Sequence, residues 1–173
     1  GYARVDGEDR PNAGMMGIYD DAFIPQYQEL TRRVHAYGSK IMMQIAYGGT
    51  KTTFEREGRT IFSPSAVPER KTGTVGVAMS PDDIRHLIDE YAQAAKRVRD
   101  SGFDAVEIHG GHSYLLNQFL SPYYNRRSDA YGGSPANRYR IVGDIIAAIR
   151  KAVGMHFPIW IKITCSDFFE GGL

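Results

Sequence analysis

Three times along this chain, a stretch with apolar residues at helical spacing leads within a few residues into a short apolar run. Residues 20–37 place Ile24, Tyr27, Leu30, Val34 and Tyr37 on one helical stripe, with Asp20 or Asp21 to cap the start and Gly38 at the end. Residues 40–46 then read as a buried strand. Ser80-Pro81-Asp82-Asp83 opens a second helix with a capping serine, a proline in the first turn and acids at the positive end of the dipole. Its inner stripe is Ile84, Leu87, Ile88, Tyr91, Ala95 and Val98, and Gly102 ends it. Residues 104–109 form the next strand. A third helix, about 136–153, buries Val142, Ile145, Ile146, Ile149 and Val153, stops at Gly154, and leads to a strand over 158–164.

An α-β-α-β-α-β order requires a parallel sheet with helices outside it. The connections into the strands are short. Those leaving them are long: 47–79 reads as loop with room for a small hairpin, and 110–135 is rich in Gly, Tyr and Asn. Short loops at strand starts and long loops at strand ends are the anatomy of a (β/α)8 TIM barrel. A doubly wound open sheet shares the alternation, but no Gly-x-Gly-x-x-Gly follows a strand run.

Composition narrows the function classes. The 173 residues carry 21 Lys+Arg against 20 Asp+Glu, a net charge of +1, which argues against a nucleic-acid partner. No run is apolar enough to span a bilayer, and the first residues lack a signal-peptide pattern. The single cysteine, Cys165, fits a reducing cytoplasm and excludes a Cys-rich zinc or iron–sulfur site within these residues. The absence of an initiator Met and the end at Leu173 lead one to expect a trimmed chain or a piece of a longer one.

Side chains alternate along a strand. Ile41, Met43 and Ile45, then Val106 and Ile108, then Ile159, Ile161 and Ile163 form the faces expected to pack on helices. The opposite face then holds Gln44, Glu107, His109 and Lys162, which in a barrel is the interior. A Glu107–Lys162 ion pair would account for two of these. It would leave Gln44 and His109 unexplained.

His109-Gly-Gly-His112-Ser-Tyr114 is the densest polar cluster. Imidazole N–H groups can polarise a carbonyl oxygen, and a nearby phenol can protonate carbon. Two histidines can also hold a metal, but no third ligand lies near them in sequence, so no metal site is expected. Lys162, inside a barrel strand, leaves open a Schiff-base aldolase.

The segment from Asp104 through His109, His112 and Tyr114 to Pro122, followed by Asn125, Arg127, Asp129, Tyr131-Gly-Gly-Ser and Asn137-Arg138, closely resembles the Old Yellow Enzyme family of flavin-dependent ene-reductases. The similarity is strongest to the branch of bacterial 2,4-dienoyl-CoA and enoate reductases. The resemblance implies one domain over 1–173, a partial (β/α)8 barrel running from the end of the second strand to just past the fifth. It implies FMN as cofactor and NADH or NADPH as reductant. Gln44 would bond the flavin pyrimidine edge, and Lys162 would stand as the cation beside flavin N1. His109 and His112 would hold a substrate oxygen, and Tyr114 would protonate the α-carbon. Tyr47 and Thr50 replace a His and an Arg of the family pattern. The first strand, the last three strands and the phosphate loops would lie outside this sequence. The expected partner is a small-molecule substrate, and the expected assembly is a homo-oligomer. An inactive structural fragment is the non-enzymatic alternative.

Overall fold

The computed structural model describes residues 1–55 and 57–173. Five strands form one sheet: β1 (Tyr2–Arg4), β2 (Met16–Gly17), β3 (Met42–Ala46), β6 (Ala105–Gly110) and β7 (Ile159–Ile163), in the spatial order β2-β1-β3-β6-β7. Every pairing in it is parallel. Three long helices, α1 (Ile24–His35), α2 (Pro81–Asp100) and α4 (Pro135–Val153), form the connections. The sheet is open, as part of a barrel wall would be.

The helix signals act as expected. Ser80 and Asp83 form a reciprocal capping box at the start of α2, a device that stabilises a helix end by about 1 kcal/mol. Gly102 follows α2 with φ +83°, a left-handed conformation that a residue with a side chain resists. Ile84, Leu87, Tyr91, Ala95 and Val98 of α2 and Ile141, Val142, Ile145, Ile149 and Val153 of α4 are buried together with Met43, Ile45, Val106 and Ile108 of the sheet. This is one core, between the helices and one sheet face. Ile88 and Ile146 pack at its margin.

Helix α1 departs from the expected stripe. Its Leu30 and Tyr37 positions are exposed, Ile24, Tyr27 and Val34 are half-buried, and Thr31 is its buried residue. The reason is its peripheral seat against α2. Thr31 Oγ1 donates to the Ser101 carbonyl at 2.8 Å there, so the polar residue faces inward. Asp104 ties α1 to the sheet by accepting from Ile41 N, Lys40 Nζ and His35 Nε2 at 2.9, 2.9 and 2.8 Å. Those partners hold its carboxyl well below the usual carboxylate range.

Among the described residues, the loop 47–79 shows no hairpin. β4 (Phe62–Ser63) and β5 (Val77–Ala78) pair in parallel, so the residues between them cross over rather than turn back. Glu69 organises that crossover by accepting from Lys71 N and Thr72 N at 2.8 and 2.7 Å. A short helix, α3 (Leu115–Leu120), lies within the stretch read as loop, and all six of its residues are buried. Because it is buried all round, it shows no amphipathic period. β1 and β2 also escaped the periodic reading, because three and two residues are too few to show alternation.

Candidate active site

Register brings the polar residues together. Tyr2 pairs with Gln44, Gln44 with Glu107, and Glu107 with Trp160. In a parallel ladder, paired residues project to the same side. One row across the sheet is therefore Tyr2, Gln44, Glu107 and Trp160. Two residues further on, His109 pairs with Lys162 and Arg4 with Ala46. The alternative of a Glu107–Lys162 ion pair is not found among the described residues, because the two residues sit in different rows. Glu107 instead accepts a hydrogen bond from the Gln44 side-chain amide, which fixes that amide's direction. Lys162 is exposed and makes no ion pair among the described residues. The desolvation a Schiff-base lysine needs is thus not supplied by these residues.

Beyond the end of β6 the chain turns sharply. A Cβ on Gly110 would stand 3.1 Å from the Lys162 carbonyl oxygen, and one on Gly111 would stand 3.1 Å from Thr164 Oγ1. Two glycines let β6 pass closely over β7. The next two residues, His112 and Ser113, are both left-handed, at φ 59° and 61°. Non-glycine residues in that region cost roughly 1–2 kcal/mol each. Side chains hold them there: Thr164 Oγ1 accepts from His112 N at 3.1 Å, Asn117 Oδ1 accepts from Ser113 N at 2.7 Å, and Gln118 Nε2 donates to Ser113 O at 2.6 Å. Leu115 N donates to the Tyr47 carbonyl at 3.0 Å and docks α3 against the end of β3. Tyr114 occupies the N-cap position of α3, and its side chain makes no capping bond. Its phenol is therefore available to the site.

The result is a compact aromatic group. The ring of His109 lies 4.8 Å from that of Tyr114 and 5.2 Å from that of His112, centroid to centroid. His109 is buried, and its Nδ1 has no hydrogen-bond partner among the described residues. Burial, and next the neighbouring His112 and Lys162, push its pKa down to about 4, so the ring is neutral at ordinary pH. Burial raises the Tyr114 phenol far above its usual value, and the adjoining Tyr2 hydroxyl adds to the shift, so Tyr114 keeps its proton. His112 is exposed. All five residues singled out in the sequence thus lie on one face or at its end: Gln44, His109 and Lys162 on strands, His112 and Tyr114 just beyond.

Two neighbours were not singled out. Tyr2 stacks on His109 at 5.9 Å, and its hydroxyl lies 2.5 Å from that of Tyr114. Asn12 Nδ2 donates to both hydroxyls, at 2.6 and 3.1 Å. The only sequence trace of this contact is an isolated aromatic ten residues before an asparagine. Tyr47 and Thr50, where the family pattern has His and Arg, are both buried away from this group.

Among the described residues, no helix is long and apolar enough to cross a membrane. Comparison with known proteins is consistent across the whole chain. The family model described as NADH:flavin oxidoreductase / NADH oxidase matches residues 1–173. A protein named NADPH dehydrogenase from Bacillus licheniformis is 41% identical over 158 residues, covering 91% of this chain and 45% of that protein. The solved structure of Old Yellow Enzyme from Pichia sp. AKU4542 is similar with a TM-score of 0.87 at 28% identity, over 99% of this chain and 47% of that one. A 2-naphthoyl-CoA reductase, solved as a complex with 2-naphthoyl-CoA, is similar with a TM-score of 0.93 at 26% identity, over 99% of this chain and 28% of that one. The chain spans about half the length of the curated relatives it matches, 45% and 48% for two of them.

Proposed function

The chain belongs to the NADH:flavin oxidoreductase / NADH oxidase family, and we propose that it carries the substrate-activating part of an FMN-dependent ene-reductase. The substrate class is an α,β-unsaturated carbonyl compound, and the reductant is NADH or NADPH. The observation that carries this reading is the cluster of a neutral His109 with the rings of His112 and Tyr114 at 5.2 and 4.8 Å, the phenol protonated.

Gln44 and Lys162 are the residues that would hold FMN. An amide offers both a donor and an acceptor to the flavin's imide-like edge. An exposed cation without an ion-pair partner suits the negative charge that reduced flavin carries. The Glu107 carboxylate orients the Gln44 amide. The chemistry bound FMN supplies is hydride transfer, from the nicotinamide to the β-carbon of the alkene.

The remaining work falls to this chain. A neutral His109 donates a ring N–H to the substrate carbonyl oxygen, and His112 donates from the exposed side. These donors stabilise the charge that grows on oxygen as the β-carbon is reduced. Tyr114 gives its proton to the α-carbon. The surrounding fold is read as one partial barrel domain over 1–173. A small molecule is the substrate, the assembly is a homo-oligomer, and the compartment is the cytoplasm. The unpaired, exposed Cys165 supports a reducing compartment.

The test is Tyr114→Phe in the full-length, flavin-loaded enzyme. General acid catalysis typically contributes about 10²–10⁴-fold, so alkene reduction in stopped flow should slow by that order. Flavin reduction by NAD(P)H needs no proton on the substrate carbon and should change by less than about threefold. Unchanged alkene reduction would remove Tyr114 as donor, and equal slowing of both halves would make it a shaping residue.

A further inference from the structure

Tyr114 is buried, so a proton it gives to carbon must be replaced through the protein. The Tyr2 hydroxyl stands against its own at 2.5 Å, and Asn12 Nδ2 donates to both oxygens. Tyr2 is half-buried and Asn12 is exposed. Both line a cavity of about 240 Å³ with Gly1, Ala13, Gly14, Met15 and Met16. Tyr2 and Asn12, near the start of the sequence, thus join Tyr114, more than 100 positions away, in one hydrogen-bonded cluster. Tyr2 also stacks on His109 at 16° between ring planes, so its position is fixed by the same ring that would hold the substrate oxygen.

We propose that Tyr2 and Asn12 form a proton relay behind Tyr114, with Tyr2 as the group that resupplies the proton and Asn12 as the residue that positions both phenols. The inference rests on the reading of Tyr114 as the donor to carbon. In the relay, the Tyr114 O–H bond breaks as its proton forms the Cα–H bond of the product. The Tyr2 O–H proton moves to the Tyr114 oxygen, and a proton from solvent water returns to the Tyr2 oxygen. Two protons move together, and no electron beyond the hydride pair is involved. Asn12 donates to whichever oxygen bears the negative charge, which spreads the cost of the transient phenolate over the pair. The chemical basis is general: a hydrogen bond between two hydroxyl groups is a path along which a proton can pass from one oxygen to the other.

The decisive variant is Tyr2→Phe in the full-length, flavin-loaded enzyme, measured beside Tyr114→Phe. Alkene reduction should slow by about tenfold or more in Tyr2→Phe, less than the roughly 10²–10⁴-fold expected from losing the donor itself. In mixtures of light and heavy water, the rate of the unsubstituted enzyme should fall along a bowed curve, as two transferring protons require. The Tyr2→Phe curve should be straight. A second readout needs no turnover and no flavin: a far-downfield hydroxyl proton in the ¹H NMR spectrum at low temperature, lost in both Tyr2→Phe and Tyr114→Phe. If Tyr2→Phe proves unstable, Asn12→Ala carries the test, with alkene reduction expected to slow at least about threefold. If Tyr114→Phe slows alkene reduction while Tyr2→Phe leaves both rate and curvature unchanged, the relay is overturned and the function stands. If Tyr114→Phe leaves alkene reduction unchanged, the donor assignment itself falls.

Discussion

At the scale of single residues, buried titratable groups divide the work of this half-barrel between stability and chemistry. Asp9 is buried, and it ties the loop after β1 to the turn after β3: Gly48 N donates to Oδ2 at 2.7 Å and Thr52 Oγ1 to Oδ1 at 3.4 Å. Burial pushes its pKa up to about 7 from an ordinary 3.8, with Asp6 adding to the shift and the Gly48 amide and Arg59 opposing it. Between those two values the folded chain holds a proton that the unfolded chain has released. The contribution to stability is therefore present at low pH and is lost as pH rises through about 7. His109 has the opposite sign: its pKa falls from 6.5 to about 4, so its neutral burial becomes less costly as pH rises over that window. Asp9→Asn isolates the first effect. The melting temperature of the unsubstituted chain minus that of Asp9→Asn should fall steadily from about pH 4 to about pH 7, by several degrees, since about 1 kcal/mol moves the midpoint by about 2–4 °C at this size. A difference independent of pH would mean that Asp9 does not carry a proton in the fold.

At the scale of elements, the site depends on how the end of β6 is gripped. Two consecutive left-handed residues, His112 and Ser113, do not keep that shape on their own. The grip comes from Thr164 just after β7 and from Asn117 and Gln118 on α3. Asn117 is in turn linked to Asp167, which also accepts from Ser121 Oγ at 2.6 Å and from Leu173 N at 3.0 Å. Thr164→Val keeps the shape of the side chain and removes the acceptor for His112 N. One lost hydrogen bond is worth about 1 kcal/mol. The His112 and Ser113 amides should therefore exchange with heavy water roughly five- to tenfold faster, while those in β6 and α2 stay as they were. Hydrogen-exchange mass spectrometry over residues 110–120 reads this directly. Uniform acceleration across the sheet would show that Thr164 supports the whole fold rather than the loop.

At the scale of the molecule, one face of the sheet is finished and the other is not. Helices α2 and α4 bury the Ile and Val face. On the opposite face and at the outer strand, Trp160 is 60% and Ile163 is 40% exposed, and β7 pairs only with β6 among the described residues. An edge strand with apolar side chains is a template for pairing with another chain. The 173-residue chain should therefore associate in light scattering at tens of micromolar, and Trp160→Lys should reduce the association. A monodisperse monomer for the unsubstituted chain would contradict this.

The sequence by itself determined the alternation, the ends of α2 and α4, and the polar face, while α1 starts at Ile24 because Asp20 caps a separate 3-10 turn over Asp21–Phe23. Caps such as Ser80 with Asp83, and stop signals such as Gly102, act within a few residues, so no distant contact is needed to read them. Strand alternation put Gln44, Glu107, His109 and Lys162 on one side before any packing was known, and the cluster His109 to Tyr114 is contiguous. Tertiary structure decided what depends on register and on segments too short or too evenly apolar to carry a period. It set β1 beside β3, so that Tyr2 meets Tyr114 across 112 positions in sequence. It paired Glu107 with Gln44 rather than Lys162, because parallel register aligns Glu107 with Trp160. It paired β4 and β5 in parallel, turned Thr31 rather than Leu30 inward, and buried all of α3. Local signals fix what a residue does to its own backbone. The partner a side chain meets is fixed only when the strands choose their register.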